Sequence, residues 1–207
     1  MYTVRPNLLL GFHGCDLEVF EKLVNFPNKV QKSEKPYDWL GHGMYFWENN
    51  YLRALYWAKE REKRGEIKKA AVVGAVISLD NCLDLLDSSS INLLSSYYDL
   101  LKIELETTGK TLPKNVDVAN DPFKDKLKRE LDCAVIEYMH KEMENEIENN
   151  YKEIGYSEMK KFDSVRGFFT EGGPAFPGSE IQMKNHVQIC IRNLNCIKGF
   201  FKPRLIK

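Results

Sequence analysis

The chain has 207 residues, with thirty Lys and Arg balanced by thirty Asp and Glu. A chain of this length suits one domain with a substantial core, burying roughly 70% of its unfolded surface. Zero net charge argues against long-range steering toward nucleic acid or an anionic membrane.

The first predicted element is a strand over Leu8-Leu9-Leu10-Gly11-Phe12, ending in His13-Gly14. The apolar run is too short to cross a membrane, and no small-residue cleavage site follows it as in a signal peptide. A strand-end imidazole beside a glycine offers a donor and an unobstructed backbone amide to a ligand; a satisfied core histidine is the alternative. Gly41-His42-Gly43-Met44-Tyr45-Phe46-Trp47 then reads as a turn entering a short strand. An amphipathic helix follows, with Leu52, Leu55, Tyr56 and Ala58 as its apolar residues. Tyr45 and Tyr56 stand eleven residues apart on adjacent elements. They suit either core packing or a pair of rings closing on a flat aromatic ligand, worth roughly 0.5–1.5 kcal/mol per stacked pair.

The cations from Lys59 to Lys69 alternate with Glu60, Glu62 and Glu66, which reads as a solvated helix face. Ala70 to Leu79 is a strongly apolar strand that ends at the turn signal Asp80-Asn81. One helix is expected from Ser90 to a stop near Gly109, and a second from Phe123 to Glu148, with an exposed acidic end at Glu142–Asn150. Closing strands are expected at Ser164–Phe169, His186–Arg192 and Cys196–Phe201. The five cysteines, Cys15, Cys82, Cys133, Cys190 and Cys196, are odd in number and form no Cys-x-x-Cys pair, so neither a disulfide framework nor a zinc site is indicated. No Gly-x-Gly-x-x-Gly turn joins a strand to a helix, which argues against a dehydrogenase fold.

His13-Gly14, the Gly-x-Gly-x-Tyr-Phe segment ending in Tyr45-Phe46, Tyr56, and then Glu180 with Gln188 eight residues on occur in this order across nearly the whole chain. The set resembles the NAD-binding signature of the ADP-ribosyltransferases related to diphtheria toxin and the poly(ADP-ribose) polymerases. The resemblance implies an α+β fold: two small, mostly antiparallel sheets around an NAD cleft, with helices on the flanks. Residues 1–207 would form a single catalytic domain, carrying a helical insertion at about 90–150.

The resemblance also implies roles. His13 would bond a ribose hydroxyl, Gly14 the nicotinamide carboxamide, and Tyr45 and Tyr56 would sandwich the nicotinamide, with Phe46 beside them. Glu180, opening a late strand, would stabilise positive charge as the glycosidic bond breaks. Glu171 lies in the same loop system and is the second candidate carboxylate. Arg53 stands where many relatives place a serine that holds the carboxamide, and would instead meet phosphate or solvent. The implied activity is transfer of ADP-ribose from NAD to a protein or nucleic acid, without a metal, in a cytoplasmic toxin or phage-defence effector. An antitoxin or other inhibitor protein is the implied partner, with no membrane. An NAD glycohydrolase and an inactive NAD-binding module are the alternatives.

Overall fold

A computed structural model describes residues 8–119 and 121–204. In chain order the elements are β1 (Leu9–Asp16), α1 (Leu17–Asn25), β2 (Met44–Glu48), α2 (Tyr51–Lys63), β3 (Ala70–Ile77), β4 (Cys82–Asp84), α3 (Ser88–Thr107), β5 (Asn115–Val116), β6 (Lys128–Arg129), α4 (Glu130–Ile154), β7 (Ser164–Phe169), β8 (His186–Ile191) and β9 (Ile197–Phe201). The fold is α+β, with one mixed seven-stranded sheet in the order β4-β7-β8-β2-β1-β3-β9 and a small β5-β6 hairpin. Only the β4–β7 ladder of the main sheet is parallel.

The expected division into two small sheets is replaced by a continuous one, although its middle is thin. β1 holds β3 through eight Cα pairs but meets β2 only at Gly11–Glu48 and Phe12–Trp47. From His13 onward β1 and β2 part, and His13 Nδ1 bridges the gap to the Tyr45 carbonyl at 2.8 Å. A carbonyl only accepts, so Nδ1 carries the hydrogen.

Strand alternation sorts the core onto two faces. Cys15, Met44, Phe46, Val73, Ala75, Ile77, Ile189 and Ile191 pack on one face together with Leu23 of α1. On the other face, Phe12, Trp47 and Val72 meet Ala54 of α2, while Val165 and Cys190 meet Ile136, Met139 and Met143 of α4. The sheet is therefore covered on one side by α1 and on the other by α2 and α4 over different strands.

The buried stripe of α2 differs from the one expected. Ala54 and Ala58, four residues apart, are fully buried, whereas Leu52 is exposed. Small residues serve here because the helix lies against the strand at Gly14, where a Cβ would stand 2.2 Å from the Ala54 carbonyl oxygen. Asn50 caps the helix by accepting from Arg53 N at 3.0 Å.

The second long helix begins at Glu130 rather than Phe123. Lys124 and Lys126 both have positive φ, and the Asp121 carboxylate accepts from Phe123 N and Asp125 N, so this stretch turns instead of coiling. At the other end of α4, Met143 and Ile147 are buried within the segment expected to be exposed. All five cysteines are free thiols, and burial pushes Cys15, Cys133 and Cys196 up to about 12. Among the described residues no helix is long and apolar enough to cross a membrane, and no group of three or more His, Cys, Asp or Glu is placed to hold a metal.

Candidate active site

Between α2 and the β5–β6 connection lies a cleft of about 560 Å³. Its floor is the sheet, where Trp47 of β2 and His186 and Gln188 of β8 share one face; Trp47 and Gln188 are register partners. Arg53, Tyr56, Trp57, Glu60 and Arg64 of α2 form one wall. Val118, Ala119, Asp121, Pro122 and Leu127 form the other, and Trp39, Phe169, Glu171 and Lys184 close the rim. The β5–β6 connection is tied to the loop after β7 by Gly172 N donating to the Asp125 carboxylate at 2.8 Å.

The cleft is aromatic and donor-rich. Trp39 stands edge-on to Phe169 at 5.0 Å and donates its indole N–H to Gln188 Oε1 at 2.6 Å. The Arg53 guanidinium lies 5.8 Å from the Trp47 ring centre and 5.4 Å from that of Tyr56, whose ring also faces Lys184 Nζ at 4.8 Å. Arg53 is ion-paired to Glu171, which is only 8% exposed. Burial lowers the Arg53 pKa, yet a guanidinium stays protonated at any ordinary pH. Glu171 Oε1 also lies 3.8 Å from His186 Nδ1. Trp47 Nε1, Arg53 Nε and Nη1 and His186 Nε2 are all buried without a hydrogen-bond partner among the described residues.

The structure does not bring the sequence-predicted residues to one place. Tyr56, Glu171, Arg53 and Gln188 come together in the cleft. Tyr45 points under α4: its ring packs beside Leu40, Ile136, Met139 and Cys190, and its hydroxyl donates to Gly41 O at 2.8 Å and accepts from Leu40 N at 2.9 Å. Phe46 faces the opposite side of the sheet, where it meets the His13 ring edge-on at 6.0 Å. Burial holds the His13 imidazole below its usual pKa, hence neutral at pH 7. Gly14 is covered by α2.

The turn before β2 is a structural clamp. Gly41 has a φ of +78°, which favours glycine, and His42 N donates to the Glu137 carboxylate of α4 at 2.7 Å. Glu137 is also ion-paired with Arg192.

Glu180 does not open a strand. It is exposed in the β7–β8 loop and lines a second cleft with Lys124, Lys126, Arg129 and Asp132. The residue that opens β8 is His186. Sequence reasoning passed over two cleft residues. Trp47 was reachable by alternation, since residues 45 and 47 share a strand face and 47 stands closer to α2. His186 reads in the sequence only as part of a strand, because its relation to Glu171 needs the folded loop. No protein-family model, curated protein or solved structure matches the chain.

Proposed function

We propose that this chain is an ADP-ribosyltransferase that takes NAD as co-substrate in the cleft beneath Tyr56, with Glu171 as the carboxylate that faces the reacting ribose. One observation carries the reading: the buried N–H donors of Trp47 and Arg53, unpartnered among the described residues, line one aromatic cleft with Tyr56, and the Arg53 guanidinium lies against both the Trp47 and Tyr56 rings. Unpartnered buried donors cost free energy, and a ligand that is flat at one end and rich in acceptors at the other offsets that cost. A nicotinamide dinucleotide has that chemistry, and of the residues that carry the sequence resemblance Tyr56 lines this cleft.

In this reading the nicotinamide stacks on Tyr56, while Trp47 and Arg53 donate to acceptor oxygens. Arg53 exchanges its partner Glu171 for the diphosphate, which releases the carboxylate toward the ribose. Departure of nicotinamide leaves an oxocarbenium-like centre, and a carboxylate held in a buried site is suited to stabilise it. His13, Gly14 and Tyr45 shape the junction of β1 and β2 behind the cleft rather than enclose the ligand.

The test uses NAD labelled in its ADP-ribose part, incubated with the protein and a cell extract. Label on protein or nucleic acid supports a transferase, and free ADP-ribose assigns the cleft a glycohydrolase activity. Absence of nicotinamide release refutes the reading. Glu171→Gln should lower turnover on the order of 10²-fold, as for loss of a preorganised electrostatic group, while Glu180→Gln should change it little.

A further inference from the structure

We propose that His186 is a catalytic residue of this cleft: the base that takes the proton from the group that attacks ADP-ribose. The proposal rests on the NAD reading given above. His186 sits at the cleft floor, only 5% exposed, with its ring stacked on Phe169 at 5.6 Å and 16°. Its Nδ1 lies 2.6 Å from the Lys184 carbonyl, which only accepts, so Nδ1 carries the hydrogen and Nε2 a lone pair. The ring is thus fixed in one tautomer, and the nitrogen left unpartnered is the basic one. A histidine held for packing ordinarily has its polar atoms satisfied.

Burial, with the Arg53 and Arg129 cations nearby, holds the imidazole at about 4, so its Nε2 lone pair is free at neutral pH. Glu171 Oε1 lies 3.8 Å from Nδ1, so a carboxylate stands beside the ring as the proton arrives. His140 also has an unpartnered Nε2, but it packs against Phe162 in the core and lines neither cleft.

The step balances without an oxidant or a further reactant. A lone pair of the acceptor forms the bond to C1′ of the ribose. The C1′–N bond to nicotinamide breaks, and its electron pair neutralises the pyridinium ring. The acceptor's proton passes to Nε2. An ionised carboxylate has no proton to give up, so a base in this position assigns the acceptor to the protic nucleophiles: a hydroxyl, an amine or amide nitrogen, or water.

The experiment measures nicotinamide release from NAD, with cell extract as the source of acceptor, by the full chain and by two variants, His186→Gln and His186→Gly. General-base loss ordinarily costs 10²–10⁴-fold, so both variants should fall by about 10²-fold or more. NAD affinity should change less than about threefold, because the ring acts on the acceptor and not in ground-state binding. Added imidazole should restore turnover to His186→Gly alone, and the restored rate should lose its acid limb near the ordinary imidazole value of about 6.5. Full turnover in His186→Gln, or a His186→Gly protein of native circular dichroism that imidazole does not restore, overturns the proposal alone. A wild-type protein that releases no nicotinamide overturns the NAD reading and this proposal with it.

Discussion

Arg53 and Glu171 are paired with side chains only 12% and 10% exposed, so removing either one strands a charge in a buried place. Such stranding costs about 3–5 kcal/mol, far above the loss of an exposed pair. Glu171→Gln leaves the guanidinium without its counter-charge, and two of its nitrogens already lack partners. The Trp47 and Tyr56 rings offset part of that, by about 0.5–2 kcal/mol for contacts of this kind. We therefore expect Glu171→Gln near the lower end, about 3 kcal/mol. Arg53→Met leaves the carboxylate beside a neutral imidazole, and should cost about 4 kcal/mol. The double variant Arg53→Met with Glu171→Leu removes both charges and should fall within about 1 kcal/mol of wild type, or above it. Urea unfolding followed by the fluorescence of Trp39, Trp47 and Trp57 measures all four proteins. The reasoning fails if either single variant costs under about 1 kcal/mol, or if the double variant costs the sum of the two singles.

Three further outcomes are expected. Tyr45→Phe should destabilise by about 1–3 kcal/mol, because Leu40 N and Gly41 O lose a buried partner, yet leave NAD affinity intact; Tyr56→Ala, at a residue 43% exposed, should weaken NAD binding by about 1–3 kcal/mol with little change in stability, and calorimetry with urea unfolding separates the two. Gly14→Ala should cost at least about 1–3 kcal/mol by driving a methyl into the Ala54 carbonyl of α2, which a thermal melt would detect and an unchanged midpoint would refute. His140 and His186 are held neutral by burial, at about 3 and about 4, while the unfolded chain binds protons below about 6.5; stability should be flat above that pH and fall as pH drops below it, by up to about 1.4 kcal/mol per unit for each histidine, and an equal urea midpoint at about pH 7 and pH 5 would refute this.

The strands and α2 were legible because their patterns are local. β1, β3, β7 and β8 are runs of apolar residues bounded by turn signals, and they form within a residue or two of where those signals stand. The start of α4 was not legible. Leu127, Leu131, Val135 and Met139 recur every four residues, but Leu127 belongs to the cleft wall and only the later members to the helix. What ends the periodicity is a turn held by Asp121 and two positive-φ lysines, none of which is a glycine or proline. The eight-residue step from Glu180 to Gln188 likewise assumes an extended path. The chain instead folds back on itself, with Ala175 N bonded to Ile181 O and Met183 N to Gly173 O, and carries Glu180 out to the loop surface. Glu171 reaches the cleft because the backbone turns just after β7, and its partner Arg53 is 118 residues away in sequence.

Where the unpartnered atoms fall is what separates a site from imperfect packing. Six buried side-chain atoms lack a hydrogen-bond partner among the described residues, and four of them belong to Trp47, Arg53 and His186, which line one cleft. Scattered singly, such atoms would each be a small local cost, as at His140. Gathered beside a buried ion pair, they concentrate those costs in one cleft. Apolar side chains of similar volume at 53 and 171 would be at least as stable, so stability alone gives no reason for the charges. Their chemistry does: Trp47 and Arg53 only donate, His186 Nε2 only accepts, and Glu171 adds a negative charge beside them. A ligand that satisfies all four must bring acceptor oxygens to the α2 side and a proton to the β8 side, and on the proposed reading the dinucleotide supplies the first and its protic acceptor the second.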